Sequence, residues 1–283
     1  MDTQTDVGAP DLVSRVGDIE LAMLLEAIYL RYHQDFRDYA RASLKRRVAQ
    51  ALLKFDCASI SRLQERLLHE PATFTEFLRF VTVQVSEMFR DPPFFRSMRE
   101  IVVPVLATYP SVKIWVAGCS SGEEAYSYAI MLREEGLLDR TIIYATDISS
   151  QNLEQAQAGV YNLDRIAQFS LNYQRAGGRR SLADYCAAAY GAAKLDQSLK
   201  ARMVFSDHSL STDSVFTEVQ LISCRNVLIY FDKKLQDRAI GLFRDSLCRK
   251  GFLGLGSKES LRFARDADAF GELVRAQRIY QKC

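Results

Sequence analysis

Two short stretches carry residue types that could bind or transform a small molecule. The first is Gly118-Cys119-Ser120-Ser121-Gly122, set between the apolar run Val112–Ala117 and a helix that begins at Glu123. A small-residue turn from strand to helix lets the backbone approach a ligand and aims N–H groups and the helix dipole at it. It is not G-x-G-x-x-G, because Ser120 takes the middle glycine's place, and no Gly-Lys-Ser/Thr follows to make a P-loop. Glu123 and Glu124 at the helix start would repel a diphosphate, so the turn suits hydroxyls or a cation. The second is Asp147, after the apolar run 141–146. At that strand end an open α/β sheet carries the acid that binds ribose hydroxyls. Alone, the loop is also a plain turn and Asp147 an N-cap of the next helix; together they predict a nucleoside site.

Two further stretches join them. Ser86-Glu87-Met88-Phe89-Arg90-Asp91-Pro92 is a polar patch with an arginine after an apolar helix. Its plain reading is a helix junction, with Arg90 on carbonyls and Asp91-Pro92 as N-cap and first residue of the next helix. Cys224-Arg225-Asn226-Val227-Leu228-Ile229-Tyr230-Phe231 follows an apolar strand, at the end where parallel sheets bind ligands. An Arg-Asn pair there is costly to bury without partners, whereas Tyr230 also reads as a core aromatic. The glycine loop fits G-x-S-x-G as well, with Ser120 as a hydrolase nucleophile and Asp184 or Asp207 and His208 downstream. Against this, the elbow normally follows several strands, and everything before residue 110 reads helical.

The elements that must position these residues follow from periodicity. Leu21, Leu24, Leu25, Ile28 and Tyr29 form one helical stripe, repeated by Leu44, Val48, Leu52 and Phe55 and by Leu63, Leu67 and Leu68. Pro71 stops that helix, and Thr73 with Glu76 reads as a capping box for the next. The first 18 residues are expected to be flexible, with a helical domain over 19–90. A bend is expected at Pro104. Strands at 112–117, 141–146, 202–206, 219–224 and 252–257 alternate with helices, which predicts a parallel sheet covered on both faces. The C-terminal RIYQK reads as a closing antiparallel strand. Residues 160–203, rich in Gly, Ala, Tyr and Arg with weak periodicity, read as an inserted subdomain of a domain spanning 91–283.

Composition bounds the rest. The 283 residues are 48% apolar and 25% charged, with 37 Lys and Arg against 35 Asp and Glu. Such a chain buries a sizeable core and has no global bias toward nucleic acid or membranes. The six cysteines contain no CxxC pair, so no zinc ribbon is expected, and most sit in apolar surroundings like reduced thiols of a cytoplasmic protein. The polar N-terminus is no signal peptide, and no apolar run reaches membrane-spanning length.

In order and spacing, SEMFRDPPFF, WVAGCSSGEEAYS, YATDIS, SCRNVLIYFDK and the terminal Tyr280-Gln281-Lys282 resemble the CheR family of chemotaxis-receptor glutamate methyltransferases. The resemblance covers nearly the whole chain. It implies an α/β fold, a Rossmann-like methyltransferase sheet with an N-terminal all-α domain and a small inserted β-subdomain, which in some family members docks a receptor tail. It implies S-adenosylmethionine as cofactor, S-adenosylhomocysteine as product, and no metal. It puts Gln84, Ser86, Arg90, Gly118, Gly122, Glu123, Asp147, Ser209, Leu210, Arg225 and Asn226 on the cofactor, with Arg90 and Tyr230 assisting transfer. Gln84 and Ser86 stand where the family has Asn and Thr, Ser209 where Asn is common, and Gly256-Ser257-Lys258-Glu259 where Gly-His-Ser-Glu is usual. These departures fit an offshoot with an unusual acceptor, or a non-catalytic cofactor-sensing adaptor. The acceptor is expected to be an acidic helix of a protein, membrane-bound or not, steered to Arg41, Lys45, Arg46 and Arg47.

Overall fold

The computed structural model describes the backbone at residues 9–82 and 86–283, with side chains from Val16 onward. The chain divides into two compact units, residues 1–83 and 84–283. The division falls earlier than the boundary expected after residue 90.

The described residues of the first unit pack as α1 (Ala9–Tyr32), α2 (Arg41–Lys54), α3 (Ile60–His69) and α4 (Pro71–Val81). α1 begins at Ala9, inside the segment expected to be flexible. The 3.6-residue stripes meet inside: Leu21, Leu24, Leu25, Ile28, Leu44, Val48, Leu63 and Leu67 are buried with Phe74, Phe77 and Val81. The capping box expected at Thr73 is absent. α4 begins three residues sooner because Pro71, with its preset φ, occupies the first turn, and the Thr73 hydroxyl donates to Glu70 (2.6 Å). The basic face is also not as expected. Arg47 is buried and donates to the Val81 carbonyl, while Lys45 (2.6 Å) and Arg41 (4.0 Å) flank Asp18. Of the four cations, Arg47 is a core element rather than a steering charge.

The second unit opens with α5 (Pro92–Ser97), a π-helical turn at Met98–Val102 and α6 (Val103–Leu106). The irregularity sits one turn before Pro104, whose missing N–H leaves that turn's ladder incomplete. Then come β1 (Val112–Ala117), α7 (Glu123–Glu134), β2 (Thr141–Asp147) and α8 (Ser150–Ala158). The insertion holds β3 (Val160–Asn162), α9 (Leu163–Arg175), β4 (Cys186–Ala189), β5 (Ala192–Leu195) and α10 (Gln197–Lys200). The chain continues through β6 (Met203–Asp207), β7 (Val219–Cys224), α11 (Lys233–Ser246), β8 (Leu247–Leu255), β9 (Phe270–Val274) and β10 (Ile279–Lys282).

Seven strands form one sheet in the order β6-β2-β1-β7-β8-β10-β9. The first five run parallel; β10 is antiparallel to both β8 and β9. The closing strand is where the sequence puts it, whereas β9 has no strong signal and β8 starts five residues before the expected strand. Both faces are covered, so β1 and β7 are nearly all buried. The chain winds from β1 outward through β2 and β6, then returns to build β7 and β8 on the other side of β1. The carboxyl ends of β1 and β7 therefore flank the topological switch point, where such sheets bind ligands. A separate small sheet, β3-β5-β4, belongs to the insertion. No helix among the described residues is long and apolar enough to cross a membrane.

Candidate active site

β1 delivers the chain into the glycine loop, and three loop residues take positive φ: Gly118 (73°), Ser120 (50°) and Gly122 (92°). A Cβ at Gly118 would lie 2.5 Å from Val227 Cγ2, and one at Gly122 2.8 Å from Ala156 Cβ. Both glycines are thus required by conformation and by space. The Gly118 and Cys119 N–H groups donate to the Thr146 carbonyl (2.8 Å each), tying the loop to the end of β2.

Asp147 sits at that strand end, 8% exposed. The Ser120 N–H donates to its Oδ2 (2.8 Å), and the Ser149 N–H (2.9 Å) and Asn152 Nδ2 (3.2 Å) donate to its Oδ1. Ser149, not Asp147, caps α8 through its hydroxyl. Burial pushes the Asp147 carboxyl above the usual range, against the opposing effect of its three donors. Its Oδ2 has one protein donor, which leaves acceptor capacity for a hydroxyl.

The paired glutamates at the start of α7 diverge. Glu123 is fully buried; the Ser121 hydroxyl donates to its carboxylate (2.7 Å) and Arg165 of α9 pairs with it at 2.9 Å. Glu124 pairs with Arg225 (3.0 Å) and accepts from Ser223 Oγ (2.6 Å). The cations that these carboxylates suit are the protein's own arginines. Arg225 also donates to Asp91 (2.7 Å) and the Arg90 carbonyl (3.0 Å), lies 4.1 Å over the Phe94 ring, and its side chain is 1% exposed. Its guanidinium holds the segment containing Arg90 against α7. This also corrects the reading of Asp91 as a cap: it precedes α5 in a left-handed conformation, makes no capping bond, and gives its carboxylate to Arg225.

Asn226 follows with φ 61°. Its N–H donates to Glu259 Oε2 (3.0 Å), which also accepts from Gly256 N–H (2.6 Å), while Oε1 accepts from Ile229 N–H (3.3 Å). Burial raises the Glu259 carboxyl, although these backbone donors favour the charged form. Glu259 thus anchors the turn that carries Asn226 and the half-buried Tyr230. Asn226 Oδ1 and Ser120 Oγ are buried acceptors with no hydrogen-bond partner among the described residues. Two orphaned polar atoms beside a glycine cradle and an acid at the switch point fit a nucleoside cofactor, whose hydroxyls and amines supply donors. They do not fit a hydrolase: among the described residues neither His208 nor any carboxylate hydrogen-bonds Ser120 Oγ, and His208 Nε2 lies 3.2 Å from the Ser214 carbonyl.

Gln84 lies outside the described residues. Ser86 is half-buried and its carbonyl accepts from Arg165. Ser209 and Leu210 follow β6, whose last residue, Asp207, pairs in register with Asp147. Ser209 bonds within its own turn, its N–H to Asp213 (2.9 Å) and its hydroxyl with Ser211 (2.7 Å), and Leu210 is buried. Arg165 and Tyr161 were not singled out by sequence reasoning, and Glu259 entered only as the last residue of a departing motif, with no role. Arg165 and Tyr161, and Glu259 toward Asn226 and Ile229, act over 30 or more residues of separation, which no local pattern encodes. Cys119, inside the loop, and Cys224 are buried thiols with pKa values pushed well above the usual range by burial, Cys119 further by Asp147 and Glu123. Among the described residues no group of three or more His, Cys, Asp or Glu could hold a metal.

Two family models match the chain: the CheR methyltransferase SAM-binding domain over residues 84–275, and the CheR methyltransferase all-alpha domain over 19–82. A Pseudomonas putida protein bearing the methyltransferase name Cher3 is 58% identical over 265 residues, 94% of this chain and 97% of its own. A chemotaxis protein methyltransferase of Listeria innocua is 31% identical over 80% of this chain and 84% of its own. A solved SAM-dependent methyltransferase of Geobacter sulfurreducens in complex with S-adenosyl-L-homocysteine covers 61% of this chain and 51% of its own, at 14% identity and TM-score 0.34, too loose a match to carry a conclusion.

Proposed function

Because the chain belongs to the CheR family of S-adenosylmethionine-binding methyltransferases, we propose that it methylates a glutamate side-chain carboxylate of a chemoreceptor-like signalling protein. The observation that carries this reading is the convergence of the glycine loop, Asp147 and Asn226 at the carboxyl ends of β1, β2 and β7. Asp147 accepts the ribose hydroxyls through the free capacity of Oδ2. Ser120 Oγ and Asn226 Oδ1 accept from the cofactor's donors, and Gly118 and Gly122 let the backbone approach it. Arg225 acts through what it holds, fixing Arg90 and Asp91. Ser86, Arg90, Gln84 and the Ser209-Leu210 turn complete the binding surface by family correspondence.

The bound cofactor supplies a methyl group on a sulfonium, an electrophile that an oxygen nucleophile can attack in line. A glutamate of ordinary pKa, about 4.3, is roughly 99.8% carboxylate at pH 7, so no side chain need act as base. The protein's contribution is orientation and a partly dry site. An anion and a cation become two neutral products, so water stabilises the reactants more than the transition state, and excluding it speeds transfer. A tight cationic clamp on the acceptor would stabilise the ground state in the same unhelpful way. Arg90 therefore orients and anchors, and Tyr230 positions the acceptor or the methyl group through its hydroxyl.

The test uses methyl-tritiated cofactor with the purified protein and a chemoreceptor signalling domain. A carboxyl methyl ester releases volatile tritiated methanol in alkali; that release is the expected result. Label that is incorporated but stable to alkali refutes the carboxylate acceptor. Tight S-adenosylhomocysteine binding with no transfer to any receptor domain refutes the catalytic reading and leaves a cofactor-sensing adaptor.

A further inference from the structure

The insertion does more than decorate the sheet, because its helix α9 touches two separate segments of the candidate active site. At its first turn Arg165 pairs with Glu123 of the glycine-loop helix (2.9 Å) and donates to the Ser86 carbonyl. Two turns on, Asn172 Nδ2 donates to the Met88 carbonyl and to Glu87 Oε2 (3.2 Å each). Residues seven apart share a helix face, so these side chains form one edge of α9 with Phe169, buried between them. Just before α9, the Tyr161 hydroxyl donates to the Ser121 carbonyl (2.8 Å) and lies 3.3 Å from the Cβ position of Gly122. One strand-helix unit of the insertion thus straps the glycine loop to the segment carrying Ser86 and Arg90.

Within this strap Arg165 holds the pivotal charge. Glu123 is fully buried, and Arg165 is the cation the structure pairs with it. The Arg165 side chain is 36% exposed, and its guanidinium lies over the Phe169 ring, 4.9 Å from the centroid. A buried carboxylate deprived of its cation must take up a proton, find water or move. Glu123 is the first residue of α7, so any such movement displaces the turn that contains Gly122. Arginine's planar fork can satisfy a carboxylate and a carbonyl together, which a lysine ammonium does with poorer geometry.

We propose that Arg165 is a positioning residue for the cofactor: by neutralising Glu123 and holding the Ser86 carbonyl, it fixes the spacing between the glycine loop and the 86–90 segment. The inserted subdomain then sets cofactor affinity, and whatever orders or loosens α9 changes that affinity. This rests on the reading of the site as the S-adenosylmethionine site, but it does not depend on which acceptor is methylated.

The test measures S-adenosylhomocysteine binding by calorimetry and thermal unfolding for Arg165→Ala, Arg165→Lys, Glu123→Gln and the Arg165→Ala/Glu123→Gln pair. Arg165→Ala is expected to weaken binding roughly tenfold or more, Arg165→Lys by less, and the double variant by clearly less than the two single losses combined. The cofactor KM is expected to rise by a larger factor than kcat falls. A folded Arg165→Ala with wild-type affinity overturns the proposal, as do losses that add in the double variant. Should Arg165→Ala not melt cooperatively, Arg165→Lys decides: unchanged affinity overturns the proposal, and a several-fold loss with an unshifted melt supports it. A wild-type protein that does not bind S-adenosylhomocysteine would instead overturn the cofactor reading itself.

Discussion

Replacing Asp147 by asparagine keeps the side chain's shape and changes one acceptor oxygen into a donor. In the folded protein Oδ2 accepts from Ser120 N–H and Oδ1 from Ser149 N–H and Asn152 Nδ2. An amide can turn its oxygen to one side only, so its NH2 faces at least one N–H it cannot accept. A buried donor left unsatisfied costs roughly 1–3 kcal/mol, the expected loss of stability. For the cofactor, losing hydrogen bonds from ribose hydroxyls to a charged acceptor costs roughly 1.5–3 kcal/mol, a 10- to 150-fold rise in the S-adenosylhomocysteine dissociation constant. Calorimetry on the folded variant reads the second quantity and denaturant melts the first. The pH dependence adds a sign. Burial raises the native Asp147 carboxyl above its ordinary value, so on acidification the native state takes up this proton before the unfolded chain does. The stability difference between wild type and Asp147→Asn then shifts in favour of wild type as pH falls through that window. Cofactor binding does the opposite, weakening as the acceptor is protonated, and it does so at a higher pH than an ordinary aspartate would require. A folded Asp147→Asn that binds within twofold of wild type at pH 7 would falsify the ribose assignment.

Gly118→Ala is expected to lower stability by roughly 1–3 kcal/mol, since its Cβ would lie 2.5 Å from Val227 Cγ2 at a positive φ, and Val227→Ala should recover part of that in a melt of the double variant. Arg90→Ala and Tyr230→Phe are expected to depress methyl transfer more than melting temperature; wild-type turnover in both would remove them from the transfer step. Arg47→Ala should destabilise the helical unit without a salt-dependent change in acceptor KM, because Arg47 is buried against the Val81 carbonyl; a KM effect that fades with salt would restore it as a steering charge.

The parallel strands were legible because burial on both faces writes itself as continuous apolar runs, and β1, β2 and β7 fall where Val112, Thr141 and Val219 begin such runs. The places of the glycine loop and Asp147, at the carboxyl ends of β1 and β2, were legible because the strand–turn–helix pattern fixes them. What local pattern could not reveal is how buried charges find partners. Asp91 reads as a helix cap until Arg225, over a hundred residues on, takes its carboxylate. Arg47 reads as one cation among four until the fold turns it inward. Glu259 lies in a turn of Gly, Ser and Lys, and its service to Asn226 and Ile229 depends on β8 lying beside β7. Helix α9 was missed because the Gly- and Ala-rich segment after it dilutes the periodicity of Leu163, Ile166, Phe169 and Tyr173.

Cys119 stands inside the loop proposed to hold a methylating agent, and sulfur is a better nucleophile than a carboxylate. The thiolate, not the thiol, attacks, and at an ordinary pKa of 9.0 only about 1% of a thiol is ionised at pH 7. Burial, with Asp147 and Glu123 nearby, pushes Cys119 well above that value, and burial does the same for Cys224 at the end of β7. The carboxylates that shape the site thereby also keep its sulfur quiet. The protein can store its alkylating reagent without becoming the first thing alkylated, and its intact mass should stay constant through prolonged incubation with S-adenosylmethionine.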